Sequence, residues 1–326
     1  VAKMNSFEDL PDLLRGIRRS VPVVWTGGLE NYPHVLRSLM CDRPVIGASP
    51  DAVESVRNPL NLQLWVCPSD MQVPRIAAAQ DQESSARWLR KSIRSSGGLG
   101  VHWMAPVPVL PARPGSSGSV IPAEAGIQCA DLDSRLCGNH EQAQLQILTS
   151  HHVQEFIDGV PLSATFVSGS DGVRSIGVSL QFVGWPSLGA SDFLFCGNLG
   201  PVYPPAWMSR QLRAAATSVV SHSGLRGVFG LDFILKHGVL WLLEVNPRLT
   251  ASHVIYDQIQ THGLQTPLIV EHLNAFGYAP ATNRSEYSRT VRRKALAAGT
   301  SATEPAASAL PLMKAATSAE TLERTQ

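Results

Sequence analysis

Val228-Phe229-Gly230-Leu231-Asp232-Phe233-Ile234-Leu235, then Lys236-His237-Gly238, then Val239-Leu240-Trp241-Leu242-Leu243-Glu244-Val245-Asn246-Pro247-Arg248 is the stretch that decides how the rest of the chain reads. Two apolar runs flank a three-residue turn containing glycine, the sequence form of a β-hairpin. Pairing Leu235 with Val239 sets Leu231 opposite Leu243 and Phe233 opposite Trp241. Side chains alternate between the faces of a strand, so these apolar groups share one side and Asp232, Glu244 and Asn246 share the other. Ile234, Leu240 and Leu242 are expected on that second side too. Three oxygen-bearing groups among aliphatic neighbours are costly to bury without a partner. A hard divalent cation such as Mg2+ takes carboxylate and carbonyl oxygens and supplies one. The bland alternative is a solvated outer face that carries two carboxylates by chance.

Working outward, 326 residues are enough for two or three compact units with a sizeable core. Charged residues make up only 16%, and 27 basic side chains face 26 acidic ones. That balance leaves no basic footprint for nucleic acid. The five cysteines, Cys41, Cys67, Cys129, Cys137 and Cys196, are odd in number and lack CxxC spacing. Free thiols in a reducing cytoplasm are therefore expected, rather than a disulfide framework. Cys129, Cys137 and His140 fit no common zinc spacing. No apolar run reaches the length of about 18 residues that reads as a membrane span. Val1 to Ser6 lacks the apolar core of a signal peptide. A soluble, cytoplasmic protein is expected.

Residues 7–66 alternate helix-like and strand-like pieces. Phe7 to Arg19 is amphipathic, Val21 to Trp25 is a short strand, Tyr32 to Met40 is helical, and Pro44 to Gly47 is another strand. This is a βαβ-like fragment of a parallel sheet, too small to close a doubly wound domain. Further strands are expected within 73–104 and 152–160. From Ala105 to Ala143 periodicity disappears, with Pro106, Pro108, Pro111, Pro114 and Pro122 as punctuation. Loops of that length signal function or disorder. Residues 119–140 resemble the translation of a mobile inverted-repeat DNA element, which implies an inert insertion; the rival reading is an active-site lid. Lengthening a surface loop costs little entropy. Leu162 to Val183 reads as two strands, Pro204 to Ser223 as a helix, and His253 to Phe276 as helix-like. After Tyr278 the chain is rich in Ala, Thr and Ser and is expected to be loose.

Lys91-Ser92-Ile93-Arg94-Ser95-Ser96-Gly97-Gly98-Leu99-Gly100 lies between the strands Trp88-Leu89-Arg90 and Val101-His102-Trp103. Such a loop exposes backbone N–H groups that can cradle phosphate oxygens, and Lys91 adds a point charge. The spacing is neither GxGxxG nor GxxxxGK[ST], so the dinucleotide fold and the Walker loop fit poorly. An ordinary glycine-rich hairpin turn remains the alternative. Val153-Gln154-Glu155-Phe156-Ile157-Asp158-Gly159 alternates and ends in a turn. It could present backbone amides to a purine, with Phe156 and Ile157 near the ring, or be a plain strand end.

In that order, these pieces resemble the ATP-grasp superfamily. The carrying residues are Lys91 with its loop, the Gln154–Gly159 hinge, Gly227 to Phe233, and Glu244-Val245-Asn246-Pro247-Arg248. The resemblance implies an α+β fold: an ATP-grasp of two α+β subdomains clasping ATP, preceded by a truncated Rossmann-like α/β pre-grasp domain. The implied boundaries are 1–70 for the partial pre-grasp unit, 71–160 for the small subdomain interrupted at 105–143, 161–280 for the large subdomain with the metal site, and 281–326 for a flexible tail. Trp25-Thr26-Gly27-Gly28-Leu29-Glu30-Asn31 and Pro44-Val45-Ile46-Gly47 are similar to carboxylate–amine ligases of the tyramine–glutamate ligase-like kind and to relatives linked to pterin-dependent one-carbon metabolism.

By the same resemblance, Lys91 contacts ATP phosphates, and Ser95, Ser96, Gly97, Gly98 and Gly100 close over them. Gln154, Glu155, Phe156, Ile157 and Asp158 hold adenine and its neighbourhood. Asp232, Glu244 and Asn246 hold Mg2+ against the phosphates, and Arg248 steadies the transferring group. This sequence departs from the family pattern in several places. Pro161, Leu162 and Ser163 stand where a ribose-binding carboxylate is common, and Asp158 is a weak substitute. Ser92 replaces a usual proline, and Arg57 is the nearest candidate for an earlier phosphate-contacting lysine.

The implied activity is a Mg2+- and ATP-dependent ligase that joins a small-molecule carboxylate to an amine through an acyl phosphate. No nucleic-acid or membrane partner is expected, and a homodimer is the default assembly. His222 and His253 are tempting as bases but read as surface or packing residues. Two alternatives stay open. One is a nucleotide-binding but inactive truncated remnant; the other is a carboxylase-type reaction with bicarbonate, ranked lower because no biotin-carrier motif occurs.

Overall fold

Apolar alternation through the second half of the chain produces a five-stranded antiparallel sheet in the order β11-β10-β7-β8-β9. Its strands are β7 (Val160–Gly169), β8 (Gly172–Val183), β9 (Phe195–Val202), β10 (Gly227–Lys236) and β11 (Val239–Asn246). The computed structural model describes residues 4, 6–77, 86–104, 151–258 and 266–278. The expected insertion at 105–143 and the tail at 281–326 lie outside the described residues. A four-stranded antiparallel sheet, in the order β3-β6-β4-β5, faces the cleft from the other side: β3 is Ile76–Ala77, β4 Trp88–Ser92, β5 Val101–Trp103 and β6 His151–Glu155. The expected strands on both sides of the glycine-rich loop are therefore present.

Near the N-terminus, β1 (Val23–Val24) and β2 (Val45–Ile46) pair in parallel. The expected amphipathic helix over 7–19 is instead broken into a 3-10 turn at Phe7–Asp9, one α turn (α1, Leu10–Leu13) and a second 3-10 turn at Leu14–Gly16. The helix expected between the two strands forms as α2 (Pro33–Asp42) and buries Val35, Leu36 and Leu39. Helix α3 (Pro50–Arg57) starts where Ser49 Oγ accepts the Ala52 N–H at 3.2 Å, and α4 (Pro59–Val66) where Asn58 Oδ1 accepts the Leu60 N–H at 3.1 Å. Such caps satisfy amides that have no partner within the helix.

The long helix α5 (Ala206–Ser223) matches the expected span and ends at Gly224. Met208, Leu212, Ala215, Ala216 and Val219 recur at helical spacing, are buried, and form its core stripe. They join Phe166, Phe229, Leu231, Phe233, Leu240 and Leu242 of the large sheet, and Trp25, Leu36 and Val53 of the N-terminal segment, in one continuous core. Where one helical segment was expected over 253–276, two helices occur: α6 (His253–Gln258) and α7 (Leu268–Ala275). They cover a second apolar cluster around Val167, Val228, Tyr256 and Leu268. Gln72 runs along the outer edge of β11: its N–H donates to Leu240 O and its C=O accepts from Leu242 N–H, both at 2.8 Å.

The β10–β11 hairpin forms with a different register from the one expected. Lys236 pairs with Val239, so the turn has two residues, His237 and Gly238, both at positive φ (47° and 74°). That is the sign pattern of the type I′ turn, whose twist matches the strands. Phe233 then faces Leu242 and Ile234 faces Trp241, but Asp232 faces Glu244, which leaves Leu243 as an extra residue on β11. Leu240 and Leu242, expected beside the carboxylates, lie in the core. Strict alternation from them would carry Glu244 into that core. The β-bulge resets the phase and turns Glu244 to the opposite face.

Among the described cysteines, Cys41 and Cys196 are free, as expected, whereas Cys67 is disulfide-bonded, which corrects the expectation of thiols throughout. No helix among the described residues is long and apolar enough to cross a membrane.

Candidate functional site

The two sheets enclose a cleft of about 560 Å³, a size typical of small-molecule sites. Leu89, Lys91 and Gln154 form one wall, and Ser163, Asp232, Ile234, Leu243, Glu244 and Asn246 form the other. Ser95, Ser96, Gly97 and Gly98 of the flap, Glu155, Phe156 and Ile157 of the hinge, and Arg248 complete the lining. Thus the sequence-predicted residues converge, with two exceptions. Gly100 is absent from the lining, and Asp158, its side chain 76% exposed, pairs with Arg87 at 3.2 Å.

Lys91 reaches across the cleft, its Nζ 3.6 Å from Glu244 Oε2. On the same wall as Glu244, Asn246 Nδ2 donates to Asp232 Oδ2 at 2.9 Å. That bond leaves the Asn246 carbonyl oxygen as the end available to a cation. Asp232 Oδ1 is buried and has no hydrogen-bond partner of normal length. Burial, and then the charge of Glu244, push the Asp232 carboxyl up to about 6, with Ser163, Gln181 and Asn246 drawing it partly back. Enclosure also opposes ionisation of Glu244, although its side chain is 46% accessible within the cleft. Lys91, Arg57 and Arg248 outweigh that and hold it below the ordinary carboxylate range. Two adjacent carboxyl groups, one of them with its unpartnered Oδ1, and an amide carbonyl make a hard-oxygen donor set that fits Mg2+.

A pH dependence follows. Between the ordinary Asp value of 3.8 and about 6, the folded protein holds a proton on Asp232 that the unfolded chain has released. The metal-free protein should therefore lose stability as pH rises through that interval. A cation needs the carboxylate form, so Mg2+ affinity should rise over the same range. The rise in unfolding temperature on adding Mg2+ is expected to be larger at pH 7 than at pH 5. An equal rise at both values would mean that Asp232 does not bind the cation.

The flap packs against the β8–β9 connection. Phe195 N–H donates to Gly97 O at 3.0 Å. Gly98 sits at φ +83°, and a Cβ there would lie 1.7 Å from Phe193 O. Only glycine tolerates both the conformation and the approach. Gly98→Ala should dislodge the flap and, with ATP as the ligand that the sequence resemblance implies, weaken its binding about tenfold or more, equivalent to roughly 1.4 kcal/mol. The global unfolding midpoint should barely move, because no core residue is touched. Titration of wild type and variant with MgATP measures this, and equal affinities would exclude the flap from the nucleotide site.

At the hinge, Phe156 packs against Trp103 (ring centroids 4.8 Å apart) and Phe193 (6.2 Å), and the Arg87 guanidinium lies 4.3 Å over its ring. Trp103 Nε1 donates to Asp192 Oδ2 at 3.1 Å. Gln154 is buried with its Nε2 unpartnered. This end of the cleft offers flat apolar surface and amide donors, which suit a heteroaromatic ring.

Arg57 does not line the cleft. It donates to Asn31 Oδ1 at 3.0 Å and to the carbonyls of Ser95 (3.2 Å) and Ile93, fastening the flap root to the N-terminal segment. His222 stacks on Trp65, and His253 Nδ1 lies 2.8 Å from Thr250 O. Neither lines the cleft, in keeping with packing roles. Gln181 and Asn198 do line it, and neither stands in a recognisable sequence motif. Their register, Gln181 opposite Asn198 across β8 and β9, depends on a strand that was not foreseen. Residues 184–200 and 248–256 also contribute Trp185, Asp192, Phe193, Thr250 and Ser252 to the lining.

Residues 126–252 match the family model of the ATP-grasp domain. That span begins within the segment expected to be an insertion. No curated protein sequence matches the chain. Among solved structures, Rhizobium etli pyruvate carboxylase with its allosteric activator acetyl coenzyme A is similar at a TM-score of 0.59 and 12% identity, covering 86% of this chain and 23% of that one. The biotin carboxylase domain of Hydrogenobacter thermophilus 2-oxoglutarate carboxylase, in complex with MgADP, ADP and bicarbonate, is similar at 0.57 and 13%, covering 86% and 58%. Staphylococcus aureus N5-carboxyaminoimidazole synthetase complexed with ADP is similar at 0.52 and 13%, covering 86% and 66%. The chain spans less than two thirds of each of these proteins. At such identities the likeness is one of fold: mixed helices and sheets in the ATP-grasp arrangement.

Proposed function

We propose that this ATP-grasp fold serves a Mg2+- and ATP-dependent carboxylate–amine ligase. The observation that carries the reading is the meeting of Lys91 and Glu244 across the cleft, 3.6 Å apart, beside the hydrogen-bonded Asn246–Asp232 pair. A cationic arm faces a hard-oxygen cluster beneath a glycine flap, which is the charge distribution a metal-bound triphosphate requires. The purine lies by Phe156 and Ile157, and the flap amides and Lys91 hold the phosphates. Asp232, Glu244 and Asn246 would hold Mg2+, which when bound neutralises charge on the phosphate oxygens.

The substrate carboxylate attacks the γ-phosphorus, the bond to the bridging oxygen breaks, and ADP leaves. The amine nitrogen then attacks the acyl carbon, gives up a proton to solvent or to the departing phosphate, and expels inorganic phosphate, giving an amide. Arg248 and Lys91 stabilise negative charge as it spreads in the first step. Holding both reactants in one closed cleft supplies much of the acceleration. Residues 1–70, with their parallel β1–β2 pair, are proposed as part of a Rossmann-like pre-grasp unit, and the chain as one of the ligase subgroup with tyramine–glutamate ligase-like members.

The test is ADP release by the folded protein, supplied with MgATP and panels of small carboxylates and amines. Release that requires Mg2+ and both substrates, with equimolar phosphate, is expected. Release driven by bicarbonate alone would favour the carboxylase-type reaction. A folded sample that binds no nucleotide would overturn the proposal.

A further inference from the structure

We propose that Glu30 is a positioning residue that holds Arg248 in the orientation needed by the transferring phosphoryl group, making the N-terminal segment part of the reaction site. This rests on reading the cleft as a site of phosphoryl transfer. Glu30 lies in the 3-10 turn Leu29–Asn31, just after Gly27-Gly28. Its side chain is 1% exposed, and Oε1 accepts from Arg248 Nε at 2.6 Å. Arg248 Nη1 donates to Leu249 O at 3.0 Å. Two anchors fix the plane of the guanidinium, and Nη2 makes no hydrogen bond among the described residues.

Arg248 lines the cleft, so Nη2 is the donor left for a ligand. A guanidinium fixed in its plane gives directed donors to phosphate oxygens, which a mobile cation does not. The cost of this arrangement is visible. Glu30 Oε2 is buried without a partner, and a buried carboxylate that is only half satisfied opposes folding. Proteins keep such local penalties where a site needs them.

The neighbouring residue reinforces the point. Asn31 Oδ1 accepts from Arg57, which in turn grips the carbonyl of Ser95 at the flap root. One short turn therefore sets both cationic flanks of the cleft: Arg248 directly and the flap through Arg57. Neither contact lies within the ATP-grasp sheets themselves.

The experiment compares binding of MgADP alone with binding of MgADP plus aluminium fluoride, a mimic of the phosphoryl group in flight, to wild type, Glu30→Gln, Arg248→Lys and the double variant. Each single change should weaken the aluminium fluoride complex about tenfold while MgADP affinity stays within about twofold. The double variant should lose little more than either single one, because both changes break one unit. Glu30→Asp keeps the charge but withdraws the oxygen from Nε. It should show the same selective loss and serves if Glu30→Gln does not fold. Wild-type affinity for the fluoride complex in either Glu30 variant, alongside a loss in Arg248→Lys, would overturn the role of Glu30 and leave the ligase reading standing. Absence of MgADP binding to the wild type would remove both.

Discussion

Glu244→Ala is expected to cut Mg2+-dependent ADP release by about a hundredfold or more, while the protein remains folded. The bulge at Leu243 exists, in effect, to aim this carboxylate. Without it, Glu244 would share the core face with Leu240 and Leu242. Truncation to alanine removes one of two adjacent carboxylates and the group that faces Lys91 at 3.6 Å. Two opposite effects on stability then partly offset. Asp232 is relieved of a like charge, and the buried Lys91 loses its counter-charge. The unfolding midpoint should therefore shift little while activity collapses. Titrating ADP release against Mg2+, next to a thermal melt of the same sample, separates the two. A variant with wild-type turnover would mean that the carboxylate cluster takes no part in the chemistry.

The second large effect concerns the fold. Phe229 is completely buried in β10 and stacks on Phe166 of β7, ring centroids 5.5 Å apart and 22° from parallel. Their strands are paired at this position, Phe229 directly opposite Phe166. Phe229→Ala removes a ring from the most enclosed part of the core, and close-packed neighbours relax only partly into the space. The expected cost is about 3–5 kcal/mol. Domains have a net stability of roughly 5–15 kcal/mol, so roughly a fifth of it or more would be lost. The denaturation midpoint in urea measures this. A change under about 1 kcal/mol would show that the sheet–helix core is looser than its packing indicates.

Much of the site was legible because its chemistry sits in short contiguous runs. Asp232, Glu244 and Asn246 fall within one hairpin, and Lys91 heads a glycine-rich loop, so residue type and order were enough to bring them together. Register was not legible. A β-bulge adds one residue without any change in composition, and His237 occupies a positive-φ turn position where asparagine or aspartate would have signalled a two-residue connection. Two errors of one residue each left the three oxygen-bearing groups on the right side and put Leu240 and Leu242 on the wrong one. Strand β9 escaped notice because Gly197, Gly200 and Pro201 interrupt its pattern. With it went Asn198, and the pairing that brings Gln181 alongside. The Glu30–Arg248 contact joins residues 218 positions apart, and no local pattern marks such a pair.

The strip of chain at Gln72 has a consequence for assembly. By occupying the main-chain groups of Leu240 and Leu242 on the outer side of β11, it caps the middle of the sheet's last rung. A second molecule arriving there side by side would meet amides and carbonyls already engaged, so continuous stacking into fibrils is blocked at that border. Along this border, contact between two molecules has to proceed through side-chain surfaces instead.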